Sequence, residues 1–185
     1  MTHSPLDIQI TPNEVIALGL PKVESTERGG RLLTDLYRRY VGDYPKFFKM
    51  DLLSRLGFLG TELLLQAEGA ERFVPREDRA VIFGNRQASL QNDTDYLRTI
   101  TDPDHYYPSP ALFVYTLPNI VTGEIAIRNK YFGETCFYVA DGMPELLSLA
   151  KLTLQTTSQQ SALVGWVECT DEQNFYANIK LIWKN

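Results

Sequence analysis

Apolar and polar residues alternate from Leu6 to Leu20, through Ile8, Ile10, Val15, Ile16 and Leu18, and the turn residues Thr11-Pro12-Asn13 break the run. That pattern predicts an N-terminal pair of strands. From Val23 to Gly42 the spacing of Leu32, Leu33, Leu36, Tyr37 and Tyr40 fits one amphipathic helix. A second helix is predicted from Met50 to Ala67, where Leu52, Leu53, Leu56, Leu59, Leu63 and Leu64 recur and Gly57 and Gly60 leave a smooth patch for close backbone approach. Ala80-Val81-Ile82-Phe83, ending at Gly84-Asn85, reads as a fully buried strand. After a polar connection from Arg86 to Asn92, a helix is expected over Asp95 to Ile100, followed by the loop Asp102 to Pro110.

Further along, one helix is predicted to enter at Pro110 and another to follow Pro118, the latter with a small-residue face at Gly123 and Ala126. Cys136 to Asp141 reads as a short buried strand, and a helix runs from Pro144 to about Thr157. Ala162 to Val167 is another buried strand, and Phe175 to Trp183 alternates as the last one. Buried strands with intervening helices predict an α/β layered domain with a largely parallel sheet. The 185 residues, 44% of them hydrophobic and without internal repeats, suit a single domain over 1–185.

A net charge of −5 with scattered basic residues, Arg38-Arg39 being one short cluster, argues against a nucleic-acid partner. The two cysteines, far apart and outside any CxxC spacing, suit a reducing compartment, so a cytoplasmic protein is expected. No apolar run approaches the ~20 residues of a membrane span. No metal site and no cofactor is indicated.

The strand-to-helix bend Asp141-Gly142-Met143 is the candidate site. Many acyl-transfer enzymes hold a Cys or Ser at such a bend, because a helix N-terminus stabilises a thiolate or an oxyanion. This bend offers neither thiol nor hydroxyl. Asp141 there reads either as a general base or, more simply, as a helix cap. Cys136 is an alternative nucleophile, but at the start of a buried strand it lacks help from a helix dipole, and Cys169 is a weaker candidate still. His3 lies near the terminus and His105 in a Pro-rich loop. The aromatic middle, from Tyr106 and Tyr107 through Phe113 and Tyr115 to Phe132 and Tyr138, could line an acyl tunnel or serve as core and interface.

Several motifs occur in a telling order: Gly84-Asn85-Arg86, Tyr107-Pro108-Ser109-Pro110, Thr116-Leu117-Pro118-Asn119, Gly123-Glu124-Ile125-Ala126-Ile127, Gly133, and Ala162-Leu163-Val164-Gly165-Trp166-Val167-Glu168. Together they resemble the N-terminal half of a β-ketoacyl synthase of the thiolase fold, over roughly Met50 to Thr170. The resemblance implies a layered thiolase-like half-fold with a mainly parallel mixed sheet and helices on both faces. In that family the catalytic cysteine lies nine residues after the glycine matching Gly133, and the same count here ends on Gly142. The family's histidines come from a C-terminal half with no counterpart in these residues, so a Cys-His-His site is not expected. By the same resemblance Phe113, Leu117, Pro118 and Asn119 are the expected substrate or interface contacts.

The helix after the bend carries Met143, Leu146, Leu147, Leu149, Ala150, Leu152 and Leu154, spread around most of its circumference. Such a helix expects cover on more than one side, hence a homodimer or a heterodimer with a full-length ketosynthase, with acyl carrier protein as a further partner. Three functions fit. The preferred one is a non-catalytic synthase-like subunit, acting as a chain length factor or scaffold in fatty-acid or polyketide-type biosynthesis, aryl polyene pigments included. The others are a condensing enzyme or acyltransferase using Cys136, and a stand-alone acyl-chain binding module.

Overall fold

The computed structural model describes residues 6–184. His3 lies outside the described residues. The elements are β1 (Leu6–Ile10), β2 (Val15–Leu18), α1 (Gly30–Tyr40), α2 (Leu52–Glu68), β3 (Arg79–Asn85), α3 (Leu90–Thr101), α4 (Pro110–Val114), α5 (Ile120–Asn129), β4 (Thr135–Val139), α6 (Met143–Thr156), β5 (Ser161–Asp171) and β6 (Asn174–Trp183). Short 3₁₀ turns occupy Pro45–Lys49 and Pro103–His105.

The strands form one mixed sheet in the order β2-β1-β6-β5-β3-β4. The expected parallel pairing holds for β5, β3 and β4. The other three pairings are antiparallel, because β1–β2 and β5–β6 are hairpins and β1 lies against β6. A strand's apolar run reports its burial and is silent on its direction, so the sequence overstated the parallel share.

Alternation along the central strands creates two cores. Val81 and Phe83 of β3 and Leu163 and Val167 of β5 join the core under α1, α2 and α5. Ala80, Ile82, Ala162, Val164 and Trp166 point the other way, against Leu146, Ala150 and Leu154 of α6. Helices therefore cover both faces.

α2 is the most deeply buried helix, and its glycines explain how it gets there. A Cβ on Gly57 would lie 2.6 Å from Val121 of α5 and 3.2 Å from the Phe83 ring, and one on Gly60 would lie 2.7 Å from Ile179. Asp51 caps the helix by accepting from the Ser54 N–H at 3.1 Å, and the left-handed Gly69 ends it. A buried ion pair locks the far end of α2 to the sheet. Arg79, 1% exposed, donates to both oxygens of Glu68, to Ser161 Oγ at 2.9 Å and to Tyr131 Oη at 3.3 Å.

Two expectations need correction. β4 is an edge strand, with Thr135 and Val139 exposed, rather than a buried one. Among the described residues nothing pairs with its outer edge. α3 starts at Leu90 instead of Asp95 and buries no residue, so its first turns had no apolar stripe to reveal them. A Cβ on Gly123 would meet nothing within 4 Å, so no backbone approaches that face of α5. α6 itself buries one stripe, while Leu147 and Leu149 are half-buried and Leu152 is exposed.

Candidate functional site

The bend from Ala140 to Met143 lies at the carboxyl end of β4, beside the end of β3. Three contacts build it. The Ala140 N–H donates to the Asn85 carbonyl at 2.9 Å, which continues the parallel ladder by one residue. The Arg86 guanidinium donates to the Asp141 carbonyl at 3.0 Å, and its cationic carbon lies 5.7 Å from the Trp166 ring centre. Glu145 turns back over the first turn of α6 and accepts from the Asp141 N–H at 2.9 Å. Gly142 occupies the cap position in extended backbone, with φ 168°.

Asp141 is therefore no side-chain cap, contrary to the simpler sequence expectation. The Glu145 carboxylate instead ties down the Asp141 N–H, one residue before the cap, and no side chain caps the helix start itself. The chemical result is clear. The Glu145 carboxylate, held on the Asp141 N–H just ahead of the helix, places a negative charge beside the helix start, and that charge opposes another anion there. A small pocket of about 240 Å³ opens here between Arg86, Val139, Ala140, Asp141 and Glu145.

Cys136 sits within β4, three residues before the strand ends, so it is roughly 10 Å from the bend at the usual strand rise. Burial pushes its thiol up, the Tyr138 hydrogen bond opposes this, and Glu134 adds to the rise. Burial first, then Asp51 and Asp171, push Cys169 up to about 12. Both thiols stay protonated at neutral pH, and thiols are poor nucleophiles in that form. His105 is exposed and pairs through Nδ1 with Asp102 Oδ2 at 2.9 Å, within its own loop. The bend, the two thiols and His105 are not brought together. Among the described residues no group of His, Cys, Asp and Glu could hold a metal ion.

Phe113 and Leu117 are about half exposed, Pro118 is half-buried and Asn119 lies on the surface. Asn119 begins α5, and its carbonyl accepts from Thr122 Oγ1 at 2.9 Å. Phe113 packs on Tyr96 of α3 with ring centres 5.4 Å apart. The aromatic middle thus divides. Tyr131 is buried beside Arg79, Phe137 and Tyr138 lie on opposite faces of β4, and Tyr106, Tyr107, Phe113 and Phe132 face outward.

The sequence reading had no role for Arg86 or Glu145. Glu145 had one local signal, an acidic residue in the first turn of the predicted helix, where negative charge is favoured. Arg86 carried no such signal, since its partners Asp141 and Trp166 are distant in sequence.

No family model and no curated protein matches this sequence. Solved structures do match its fold. One is an ishigamide ketosynthase/chain length factor, with a TM-score of 0.67 at 18% identity, covering 97% of this chain and 62% of that one. Another is the complex of a ketosynthase with its chain length factor from Xenorhabdus doucetiae, with a TM-score of 0.62 at 14% identity over 98% of this chain and 77% of that one. A β-ketoacyl synthase from Burkholderia phymatum has a TM-score of 0.59 at 13% identity over 78% of this chain and 45% of that one. The chain spans about three fifths of the length of the first. It has the ketosynthase-like thiolase fold that the ordered motifs implied.

Proposed function

We propose that this chain is a non-catalytic, chain-length-factor-like partner of a ketosynthase in fatty-acid or polyketide-type biosynthesis. The bend carries this reading. Its three residues supply no nucleophile, and Glu145 places a carboxylate on the amide that leads into α6. The fold is kept while the chemistry at its usual position is gone. The names of the first two structural neighbours, each a ketosynthase and chain length factor, support a paired role.

The surface supports it as well. The outer edge of β4 is free to extend the sheet into a second chain. The stretch from 106 to 139 that leads to this edge exposes Tyr107, Phe113, Leu117, Ile127, Phe132 and Val139. A contact surface would give these apolar groups cover. Phe113, Leu117, Pro118 and Asn119 belong to the contact, where they shape the neighbouring chain's acyl pocket. Leu152 on the open side of α6 receives cover from the same partner. The complex acts in the cytoplasm on chains carried by acyl carrier protein, with aryl polyene-type products as the narrower expectation.

Co-expression with an intact ketosynthase, followed by size-exclusion chromatography with light scattering, tests the pairing. A one-to-one complex is expected. Val139→Lys and Phe132→Glu should each disrupt it and leave the chain folded. Transfer of an acyl group from acyl carrier protein onto this chain, seen as a mass adduct, would refute the non-catalytic reading.

A further inference from the structure

Two features meet at the start of α2, and the first is a knob. Phe48, in the short turn before the helix, is 46% exposed. Its ring is fixed edge-on against Tyr37 and Phe47, with centres 5.2 and 5.6 Å apart. Basic side chains surround it: the Arg38 guanidinium lies 5.9 Å from its centre, Arg55 donates to its carbonyl at 2.9 Å, and Lys49 follows it in the chain. In a chain of net charge −5, residues 31–55 carry six basic side chains against three aspartates. Those aspartates are engaged: Asp35 with Ser25 and Arg39, Asp43 with Arg128, and Asp51 with the Ser54 N–H and Asn92. Arg39 and Lys46 have carboxylates of their own, and among the described residues none forms an ion pair with Arg38, Lys49 or Arg55.

The second feature is a hollow of about 350 Å³ between the loop after β3, the first turns of α3 and the end of β5. Leu52, Leu53, Leu90 and Leu112 give it an apolar wall, and no lysine, arginine or histidine lines it. Of the acids at its rim, Asp95 is tied to Arg98 and Glu172 lies against Gly30. Glu168 uses only Oε1, for the Arg86 N–H at 3.2 Å, and Asp171 is exposed at the turn into β6. A dry cavity of about 150 Å³ holds a benzene molecule, so a phenyl ring can enter this one. Knob and hollow lie side by side, because Lys49 is two residues before Asp51 and Leu52, which lines the hollow, is one turn before Arg55. A face that carries a knob and its matching hollow together is complementary to itself: a two-fold rotation sets each knob over the other copy's hollow.

We propose that two copies of this chain pair through this face. Phe48 of each copy seats in the mouth of the other's hollow, against Leu52, Leu90 and Leu112, while Arg38, Lys49 and Arg55 meet Glu168 and Asp171. The fixed ring loses little freedom on docking, and an aromatic anchor beside guanidinium groups is the usual make-up of a strong contact centre. The contact uses no residue of β4, and it does not rest on the ketosynthase reading.

Sedimentation velocity of the full chain alone tests this, with circular dichroism to verify the fold of each variant. A dimer is expected at low salt, weakened about tenfold or more by roughly 0.5 M salt, which screens the ion pairs. Phe48→Ser and Lys49→Glu each change an exposed side chain and should each weaken it by about tenfold or more. Glu168→Lys should do the same, yet an equal mixture of the Lys49→Glu and Glu168→Lys chains should dimerise again, since one contact is then native and the other has its charges exchanged. Val139→Lys, on the β4 edge, should leave this dimer unchanged. A monomer at about 100 μM and low salt, a dimer indifferent to Phe48→Ser and Lys49→Glu, a dimer lost with Val139→Lys, or a charge-exchanged mixture that stays monomeric would overturn the proposal.

Discussion

Gly142→Cys returns a thiol to the bend, and the structure determines how acidic that thiol will be. Gly142 has extended backbone that any residue can adopt, and an added Cβ meets Pro144 Cδ at 3.5 Å, an ordinary contact. The variant should therefore fold. The start of α6 favours a thiolate by about 0.3–1 kcal/mol, less than one pKa unit. The Glu145 carboxylate opposes it. That group is held 2.9 Å from the Asp141 N–H. With adjacent Cα atoms about 3.8 Å apart, it lies roughly 5 Å from the introduced thiol. Two like charges at that separation repel by about 0.8 kcal/mol in water and about 3 kcal/mol at an effective dielectric of 20. The repulsion raises the thiol by roughly 0.6–2.4 units, and the exposed Asp141 carboxylate adds in the same direction. The introduced thiol should titrate at or above the ordinary value of about 8.5, and adding Glu145→Gln should bring it down by about one unit. The assay is the rate of iodoacetamide alkylation against pH, followed by mass spectrometry, in a chain carrying Cys136→Ser and Cys169→Ser. A thiol titrating below about pH 7 with Glu145 in place would refute this account of the bend.

Three further outcomes are expected. Arg79→Met leaves the mostly buried Glu68 carboxylate with only the long Arg76 contact at 4.0 Å and should cost about 3 kcal/mol in urea unfolding, with much of the loss recovered by adding Glu68→Met; a loss below about 1 kcal/mol would show that the pair is not sealed from water. Gly165→Ala drives a methyl group to 2.4 Å from the Phe83 ring, which Gly57 confines from the α2 side, so about 1–3 kcal/mol of destabilisation is expected and a double-mutant cycle with Phe83→Leu should show coupling. Burial pushes both Cys169 and Tyr44 up to about 12. Their stabilising contributions are complete below the unfolded values of about 8.5 and 10 and are lost as pH rises toward 12. Unfolding measured at pH 8, 9.5 and 10.5 should show stability falling across that range, and Cys169→Ala should flatten the first part of the fall.

Local chemistry was legible in the sequence wherever one segment settles its own structure. The turn at Thr11-Pro12-Asn13 forms as read, with Thr11 Oγ1 accepting from the N–H groups of Asn13 and Glu14 at 3.2 and 3.1 Å. Gly57 and Gly60 mark the close approach of α2, and the bend after β4 falls where the change of period from strand to helix placed it. α3 was shortened because a helix that buries nothing leaves no apolar stripe to read.

The sequence by itself determined which residues alternate, which segments carry a helical stripe and that the bend lacks a nucleophile, since these follow from residue type and spacing along one stretch of chain. Only the tertiary structure decided that β4 is an edge, that Glu145 and Arg86 hold the bend, and that the loops after β3 and β5 enclose a cavity. Each depends on groups far apart in sequence: 55 residues separate Arg86 from Asp141, and 82 separate it from Glu168. An apolar strand is covered on its faces whether it is central or at the edge, and what distinguishes the two is the backbone beside it, which is supplied by the rest of the fold.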